Sequence, residues 1–312
     1  MEIYAKAALD MRQIEVKQNI GCDGIEIQLL GELLEKDPSG MYREAEEIWN
    51  LSDFDHVPVK AVHAPLVSGF DLTLEKMTST GLFPPTILYN TCEIAEHFGR
   101  HSGGEVPVVV HTELAVSNNF IATGMYSEIR CMMDHILMAY PHVSVCIENV
   151  TPLRSMSSHG ISLSNNFAGD NISLAKMLSK DLGTDRIGTV LDVCHAMITA
   201  MYMNTLYRAV GIPAPDLSPE HFFMTNLGVC KLMHLAGMKG SGYGGDNHGT
   251  PFSEQNEEQC REILDLYQKY EYNCPVTLEV SESDYLTCDG YRVTKETVDR
   301  ILNAVATKRL SA

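Results

Sequence analysis

Six runs of apolar, mostly β-branched residues in this sequence each end in a histidine or a carboxylate. The runs are VKAVH, VPVVVH, VSVCIE, IGTVLD, VCKLMH and PVTLE, and they end at His63, His111, Glu148, Asp192, His234 and Glu279. Imidazole and carboxylate groups bind divalent cations, and the ends of parallel strands meet at one mouth when the strands close into a barrel. The pattern therefore predicts a metal centre at the mouth of an α/β barrel.

Strand-like runs alternate with amphipathic stretches along the chain, which is the pattern of βαβ units and a parallel sheet. Eight strands are predicted, at 2–7, 24–29, 58–63, 106–111, 143–149, 187–193, 229–235 and 275–280. Helical stretches are predicted at 41–51, 85–98, 126–140, 173–182, 254–270 and 294–307. A single-domain (β/α)8 TIM barrel over residues 1–312 fits this order. A doubly wound sheet is the alternative, but it would spread the ligands along an open edge.

Long segments with glycine and proline follow several of the predicted strands, where the active-site loops of such barrels lie. They cover 66–84, 115–124, 151–171, 201–219 and 237–252. The last contains GSGYGGDNHG, in which Asp246 and His248 form a D-x-H pair. This is a second pair of candidate ligands, in addition to Asp192 and His195 in D-V-C-H. We interpret this segment as a lid that carries two ligands, because it does not open a helix as a dinucleotide-binding loop would.

Charge and cysteine content restrict the class of protein. The formal net charge is −18, from 41 acidic and 23 basic residues, and such a charge disfavours tight binding of nucleic acid. The nine cysteines have no C-x-x-C spacing and are odd in number, which is typical of reduced thiols. We find neither an apolar leader nor a run near the ~20 residues of a membrane span. A cytoplasmic protein without a membrane partner is predicted, and the oligomeric state is left open.

Glu148 and Glu279 are the strongest ligand candidates, since each is a carboxylate within an otherwise apolar run. A charged side chain is rarely buried unless it is paired or binds a metal. A single histidine at a strand end more often hydrogen-bonds within the core. For Glu26, in the run GIEIQL, a polar core position and a substrate contact both stay open.

The ordered segments VHAPL, VVVHTE, IENV, LDVCHA, MHLAG, DNHGTPF and LEVSE resemble the xylose isomerase-like TIM barrels. This superfamily contains sugar isomerases and epimerases as well as the endonuclease IV type of apurinic-site nuclease, AP endonuclease family 2. For the isomerase and epimerase branch, the resemblance implies one divalent ion bound by Glu148, Asp192, His234 and Glu279. It also implies that Glu148 and Glu279 move a proton beside a carbonyl, with His195 near the substrate hydroxyls.

The endonuclease IV branch is the alternative, and there the resemblance implies three zinc ions bound by nine ligands. This chain has a candidate at each position: His63, His111, Glu148, Asp192, His195, His234, Asp246, His248 and Glu279. Clustered zinc ions would activate a water and neutralise phosphate oxygens. Against this alternative, we find no cluster of basic or inserted aromatic residues suited to a bent duplex.

One departure concerns the residues after His234, where both branches commonly have an acidic residue. Leu235, Ala236 and Gly237 occupy these positions, so no side chain directly after His234 can hydrogen-bond to its imidazole and orient it as a ligand. We expect a metal-dependent isomerase or epimerase that acts on a small sugar or related polyhydroxy compound. Zn or Mn is the expected metal, with Mg or Co as alternatives. A zinc phosphoesterase with a di- or trinuclear site is the second expectation, and a non-catalytic sugar or metal sensor is the third.

Overall fold

Eight parallel strands form a closed barrel in the computed structural model, which describes residues 1–67, 70–78, 84–112, 125–151, 156–157, 160–161, 170–239 and 248–310. The barrel strands are β1 (Ile3–Ala7), β2 (Gly24–Gln28), β3 (Val59–His63), β4 (Val106–Val110), β5 (Val143–Glu148), β6 (Ile187–Asp192), β7 (Cys230–Leu235) and β8 (Val276–Leu278). Parallel pairing between β1 and β8 closes the sheet. The predicted (β/α)8 TIM barrel is confirmed.

Helices cover the outside of the barrel. In the described part of the chain they are α1 (Met11–Ile20), α2 (Ala45–Ile48), α3 (Thr86–Ser102), α4 (Met125–Ala139), α5 (Asp170–Leu182), α6 (Val193–Val210), α7 (Pro219–Asn226), α8 (Glu257–Lys269) and α9 (Asp289–Leu310). Short 3-10 helices occur at Gly31–Leu34 and Leu51–Phe54. Two antiparallel strand pairs lie outside the barrel: Leu66–Val67 with Phe70–Asp71, and Met156–Ser157 with Gly160–Ile161.

The main core lies between the strands and the helices, where residues such as Ile25, Val62 and Val108 are fully buried. A smaller apolar cluster fills the inside of the barrel. Because both faces of a parallel sheet are covered in this architecture, its strands are continuously apolar. This is why the strand positions could be predicted from runs of apolar residues.

Two predictions about the outer segments were wrong. The predicted helix at 41–51 is reduced to Ala45–Ile48, because Tyr42 pairs with Lys36 across a turn that is stabilised by the Asp37 carboxylate. The predicted loop at 201–219 is helical as far as Val210, where Gly211, with a φ of 70°, ends α6. The segment 201–210 contains neither glycine nor proline, so nothing in it ends the helix.

The helices and the cysteines are the features that bear on cellular location. In the ranges that the structure covers, no helix has the length and apolarity needed to cross a membrane. None of the nine cysteines, all of which lie in described ranges, forms a disulfide. The cytoplasmic location stays a prediction.

Candidate metal centre

The side chains inside the barrel form two layers, one apolar and one polar. We call the apolar layer the barrel floor; it consists of Tyr4, Ala61, Val109, Cys146, Val190 and Leu232. Side chains alternate across a strand, so the residue two positions further along each chain segment points the same way. Those residues are Lys6, His63, His111, Glu148, Asp192 and His234. The candidate ligands therefore lie directly above the floor, at the carboxyl ends of the strands.

Three overlapping sets of side chains at this mouth could each hold a metal ion, since the ligand atoms of each set lie within 4.8 Å of one another. The first ligand group is His63, His111 and Glu148; the second is Glu148, Asp192, His234 and Glu279; the third is Asp192, His195 and His248. Glu148 and Asp192 each belong to two groups. The structure thus brings together eight of the nine predicted ligands, while Asp246 lies outside the described residues, as does most of the predicted lid.

Glu148 is the carboxylate that joins the first two groups. It is 1% exposed, and its Oε2 lies 3.1 Å from Nε2 of both His63 and His111. Its Oε1 lies 3.4 Å from Nδ1 of His234. Burial raises the pKa of Glu148, but the nearby His234 and His111 outweigh that effect and hold the pKa well below its usual range. Glu148 is therefore ionised and available to bridge two cations.

His63 is oriented as a metal ligand would be. Its Nδ1–H donates to the carbonyl of Ala64 at 2.8 Å, so Nε2 carries the lone pair in the neutral ring. Burial lowers the pKa of His63, which favours this neutral form. The Nε2 lone pair then faces an ionised oxygen of Glu148 at 3.1 Å. Two acceptor atoms this close are stabilised by a cation between them.

His234 in the second group is also held at one nitrogen and has the other near a carboxylate, but the roles of Nδ1 and Nε2 are exchanged relative to His63. Its Nε2 lies 3.0 Å from Oε2 of Glu26, which also accepts from the Thr277 hydroxyl at 2.6 Å. This leaves Nδ1 directed at Oε2 of Glu279, 2.7 Å away, and both of these atoms are buried without hydrogen-bond geometry. Burial lowers the pKa of His234, but Glu26 and Glu148 outweigh it and raise the pKa well above its usual value. A divalent cation bound by Nδ1 of His234 and Oε2 of Glu279 would satisfy both of these buried atoms.

Glu26 makes the contact to the imidazole of His234 that the residues directly after His234 do not provide. It is fully buried on β2, behind the imidazole, and is a polar core residue with a positioning role. Burial raises its pKa, but His234 and Lys6 outweigh it and lower the pKa to about 2. An ionised carboxylate behind a ligating histidine fixes the ring and increases its basicity.

Lys6 is a site residue that the sequence analysis missed. Its Nζ lies 2.8 Å from Oε1 of Glu279 and 3.4 Å from Oε1 of Glu26. Burial lowers the pKa of Lys6, but Glu279 and Glu26 outweigh it, so the pKa is raised and the ammonium stays charged. The available signal was its position, two residues after the floor residue Tyr4, where an inward direction is expected.

The third group is held by the start of α6. Asp192 is the N-cap of this helix, and its Oδ1 accepts from the backbone N–H of His195 at 2.6 Å. Nδ1 of His195 donates to the carbonyl of Asn149 at 2.8 Å, and the same nitrogen lies 3.2 Å from Oε1 of Glu148. Nε2 of His248 lies 3.4 Å from Oδ2 of Asp192, and the two imidazole rings stack with centroids 4.5 Å apart. The D-V-C-H spacing thus places carboxylate and imidazole together through a helix cap.

The residues present fit a divalent cation. In the first two groups a histidine is hydrogen-bonded at one nitrogen and has the other nitrogen close to a carboxylate. The second group, with three carboxylates and one imidazole, suits Mn or Mg as well as Zn, while the two imidazoles of the first group favour Zn. The donor set therefore supports a divalent metal without selecting its identity.

A cavity of about 340 Å³ opens beside the second and third groups. Its lining includes Lys6, Gln28, Leu30, His248, Glu279 and Tyr285. Small-molecule sites of roughly 300–1,000 Å³ are typical of proteins. Glu279 is shared by the cavity and the second group, so a molecule in this cavity would contact a metal ligand directly.

Comparison with known proteins identifies a fold and no family. No protein-family model matches the sequence, and no curated protein is similar to it. Among solved structures, an L-ribulose 3-epimerase is 13% identical, with a TM-score of 0.55 and coverage of 100% of this chain and 98% of that chain. A 3-keto-D-glucoside 4-epimerase from E. coli is 14% identical, with a TM-score of 0.53 and coverage of 97% and 99%.

A third similar structure is D-allulose 3-epimerase from Methylomonas sp. in complex with D-allulose. It is 12% identical, with a TM-score of 0.52 and coverage of 99% of this chain and 96% of that chain. The likeness extends over the whole length of the chains. The expected resemblance to xylose isomerase-like TIM barrels is confirmed at the level of the fold.

Proposed function

We propose that this protein is a divalent-metal-dependent isomerase or epimerase that acts on a small sugar or related polyhydroxy carbonyl compound. The observation that carries the proposal is the position of Glu279, which lines a cavity of about 340 Å³ and belongs to the second ligand group. A base at this position can reach a small substrate that is also within reach of the metal. The sugar epimerases of similar fold agree with a carbohydrate substrate.

The proposed reaction moves a proton on the carbon next to the carbonyl. A bound divalent ion would polarise the carbonyl and the neighbouring hydroxyl, which makes that proton more acidic. Glu279 would accept the proton as a carboxylate, because Lys6 and His234 outweigh the effect of burial, lower its pKa and so favour the ionised form. Lys6 would hold the Glu279 carboxylate in place through the contact at 2.8 Å.

Glu148 and His195 would complete the reaction. Glu148 would enter the forward step protonated and deliver that proton to the substrate carbon as Glu279 removes one, so that the two carboxylates exchange protonation states. His195 would contact a substrate hydroxyl, in agreement with its place in the third group near His248. The ionised form of Glu148, which the nearby His234 and His111 favour, would serve as the base in the reverse direction.

Isotope exchange tests the proposal. The protein is loaded with Mn2+ or Zn2+ and incubated with D-allulose, other ketohexoses and ketopentoses in deuterated water, and the sugars are examined by NMR. We expect deuterium at the carbon next to the carbonyl, and we expect the Glu279→Gln variant to lose at least 100-fold in exchange rate. Glu105→Gln, which alters a surface glutamate paired with Lys231, is the control and should exchange normally. Absence of exchange from every sugar by metal-loaded protein would count against the proposal.

A zinc-dependent phosphoesterase is the second candidate, favoured by one observation. An isomerase needs only the second ligand group, yet the first and third groups lie beside it and share Glu148 and Asp192 with it. Three adjacent cations would suit in-line displacement at a phosphoester. We would assign the protein as a phosphoesterase if it bound three zinc ions per chain and hydrolysed bis-p-nitrophenyl phosphate or a duplex with an abasic site. The net charge of −18 opposes the nucleic-acid substrate.

A further inference from the structure

A separate cluster of metal-binding side chains lies away from the mouth. Asp55 directly follows the 3-10 helix Leu51–Phe54, and His97 and His101 are one turn apart near the end of α3. Nε2 of His97 lies 2.7 Å from Oδ1 of Asp55, and Nε2 of His101 lies 3.1 Å from Oδ2 of the same carboxylate. The three side chains offer ligand atoms within 4.8 Å of one another.

We propose that Asp55, His97 and His101 form a second, surface metal site for Zn2+ or another late first-row divalent ion. Two imidazoles and one carboxylate are ligands that such ions prefer. With zinc–ligand bonds of about 2.0–2.1 Å in tetrahedral geometry, ligand atoms lie roughly 3.3 Å apart. The distances of 2.7 and 3.1 Å between the nitrogens and the carboxylate oxygens are already close to this value. Small side-chain rotations are enough to admit the ion.

Exposure makes these rotations possible. The side chains are 24%, 50% and 32% exposed for His97, His101 and Asp55 respectively. The two histidine rings have centroids 5.2 Å apart at an interplanar angle of 32°, so one nitrogen of each ring can turn towards the same ion. A fourth coordination position would open to solvent, where a water can bind.

The position of this site in the barrel indicates a structural role. Asp55 lies just before the start of β3, and His97 and His101 lie in the C-terminal part of α3, the helix that returns from the mouth. The surface site is therefore at the amino-terminal face of the barrel, opposite the mouth, where catalytic groups do not lie. A cation there is also favoured by the dipole at the C-terminus of α3. The ion would join this helix to the segment that enters β3.

Counting bound zinc tests the inference, because the mouth contributes the same number of ions to each variant. Chelator-treated full-length protein is dialysed against about 50 µM Zn2+, a concentration that occupies a site with a micromolar Kd. Zinc per chain is then measured by mass spectrometry. We expect His97→Gln/His101→Gln to bind one zinc ion fewer than the wild type. His221→Gln, which alters a histidine beside a lone carboxylate of Asp216, is the matched control and should keep the wild-type count. Equal counts for the wild type and the double variant would overturn the inference.

A second variant separates metal binding from a hydrogen-bonded contact between the same residues. Asp55→Asn keeps both imidazoles but replaces the anionic ligand, and we expect the affinity of the surface site for Zn2+ to fall at least tenfold in calorimetric titration. The wild type should also unfold at higher temperature with zinc than the double variant does under the same conditions. Zinc affinity unchanged by Asp55→Asn would show that the three side chains do not act together as ligands.

Discussion

At the scale of single residues, the candidate centre depends on groups that stand behind the ligands. Glu26 fixes His234 from behind, and the backbone carbonyl of Ala64 does the same for His63. Each partner determines which nitrogen of its imidazole is free. The direction of the ligand lone pairs is therefore set before any cation binds.

Glu26→Gln tests this dependence without removing a ligand. An amide is a weaker, uncharged acceptor for Nε2–H of His234, so the imidazole becomes a poorer ligand. We expect the affinity for Mn2+ or Zn2+ at the second ligand group to fall about 10–100-fold in isothermal titration calorimetry. Glu15→Gln, at an exposed position of α1, should leave the affinity unchanged. An unaltered affinity in Glu26→Gln would mean that Glu26 does not orient His234.

The sequence permitted prediction of the ligands but not of their supporting contacts. His63, Glu148 and Asp192 end apolar runs, and such positions face the mouth of a barrel by strand register alone. The pairing of Glu26 with His234 joins residues 208 positions apart, and it could not be predicted from local pattern. Lys6 and the Asp55–His97–His101 cluster were missed for the same reason, because their partners are brought together only by closure and packing.

At the scale of elements, one buried carboxylate joins α3 to the start of β5. Glu96 is 2% exposed and accepts from the backbone N–H of His142 at 2.8 Å, from its Nδ1 at 2.9 Å and from Nε of Arg100 at 2.9 Å. Burial raises the pKa of Glu96, but the hydrogen bonds from His142 outweigh that effect and lower it. The ionised form is therefore favoured by folding.

This contact predicts a pH-dependent stability difference. Because the folded pKa of Glu96 is lowered, its contribution is present above the unfolded pKa of about 4.3 and is lost as the pH falls through the folded pKa. We expect Glu96→Gln to reduce the free energy of unfolding by about 1–3 kcal/mol at pH 7. The difference from the wild type should shrink below about pH 4, as measured by urea unfolding across a pH series. A difference that is constant with pH would indicate a packing effect only.

The limits of sequence-based prediction also differ between elements. The barrel strands were predictable because both of their faces are buried, which requires continuous apolar sequence. The segment 41–51 has a helical period, but the bridge between Lys36 and Tyr42 keeps its first residues extended. Backbone pairing of this kind overrides helix propensity, which contributes only tenths of a kcal/mol per residue.

At the scale of the whole molecule, negative charge is concentrated at the mouth. Four carboxylates, those of Glu26, Glu148, Asp192 and Glu279, belong to or support the second ligand group, and Lys6 and His234 are among the basic groups in contact with them. The molecule already has a net charge of −18. A divalent cation would relieve both the local and the overall repulsion.

Metal removal should therefore destabilise the protein. A ligand present at 100 times its Kd stabilises the folded state by about 2.7 kcal/mol, which corresponds to roughly 4–8 °C in Tm for a domain of this size. We expect EDTA treatment to lower Tm by about this amount and Zn2+ or Mn2+ to restore it, as followed by differential scanning calorimetry. The Glu148→Gln variant should respond much less to either addition. A Tm that is insensitive to chelator and metal in the wild type would contradict a metal centre at the mouth.

The barrel floor has a consequence for how this protein could change over evolutionary time. Its residues lie one layer below the candidate ligands, and none of them belongs to a ligand group. Replacement of an inward residue at the mouth leaves the floor packed, whereas insertion or deletion of one residue within a strand turns a ligand outward. A point substitution among the ligands could therefore alter the chemistry at the mouth while the barrel keeps the same folding core.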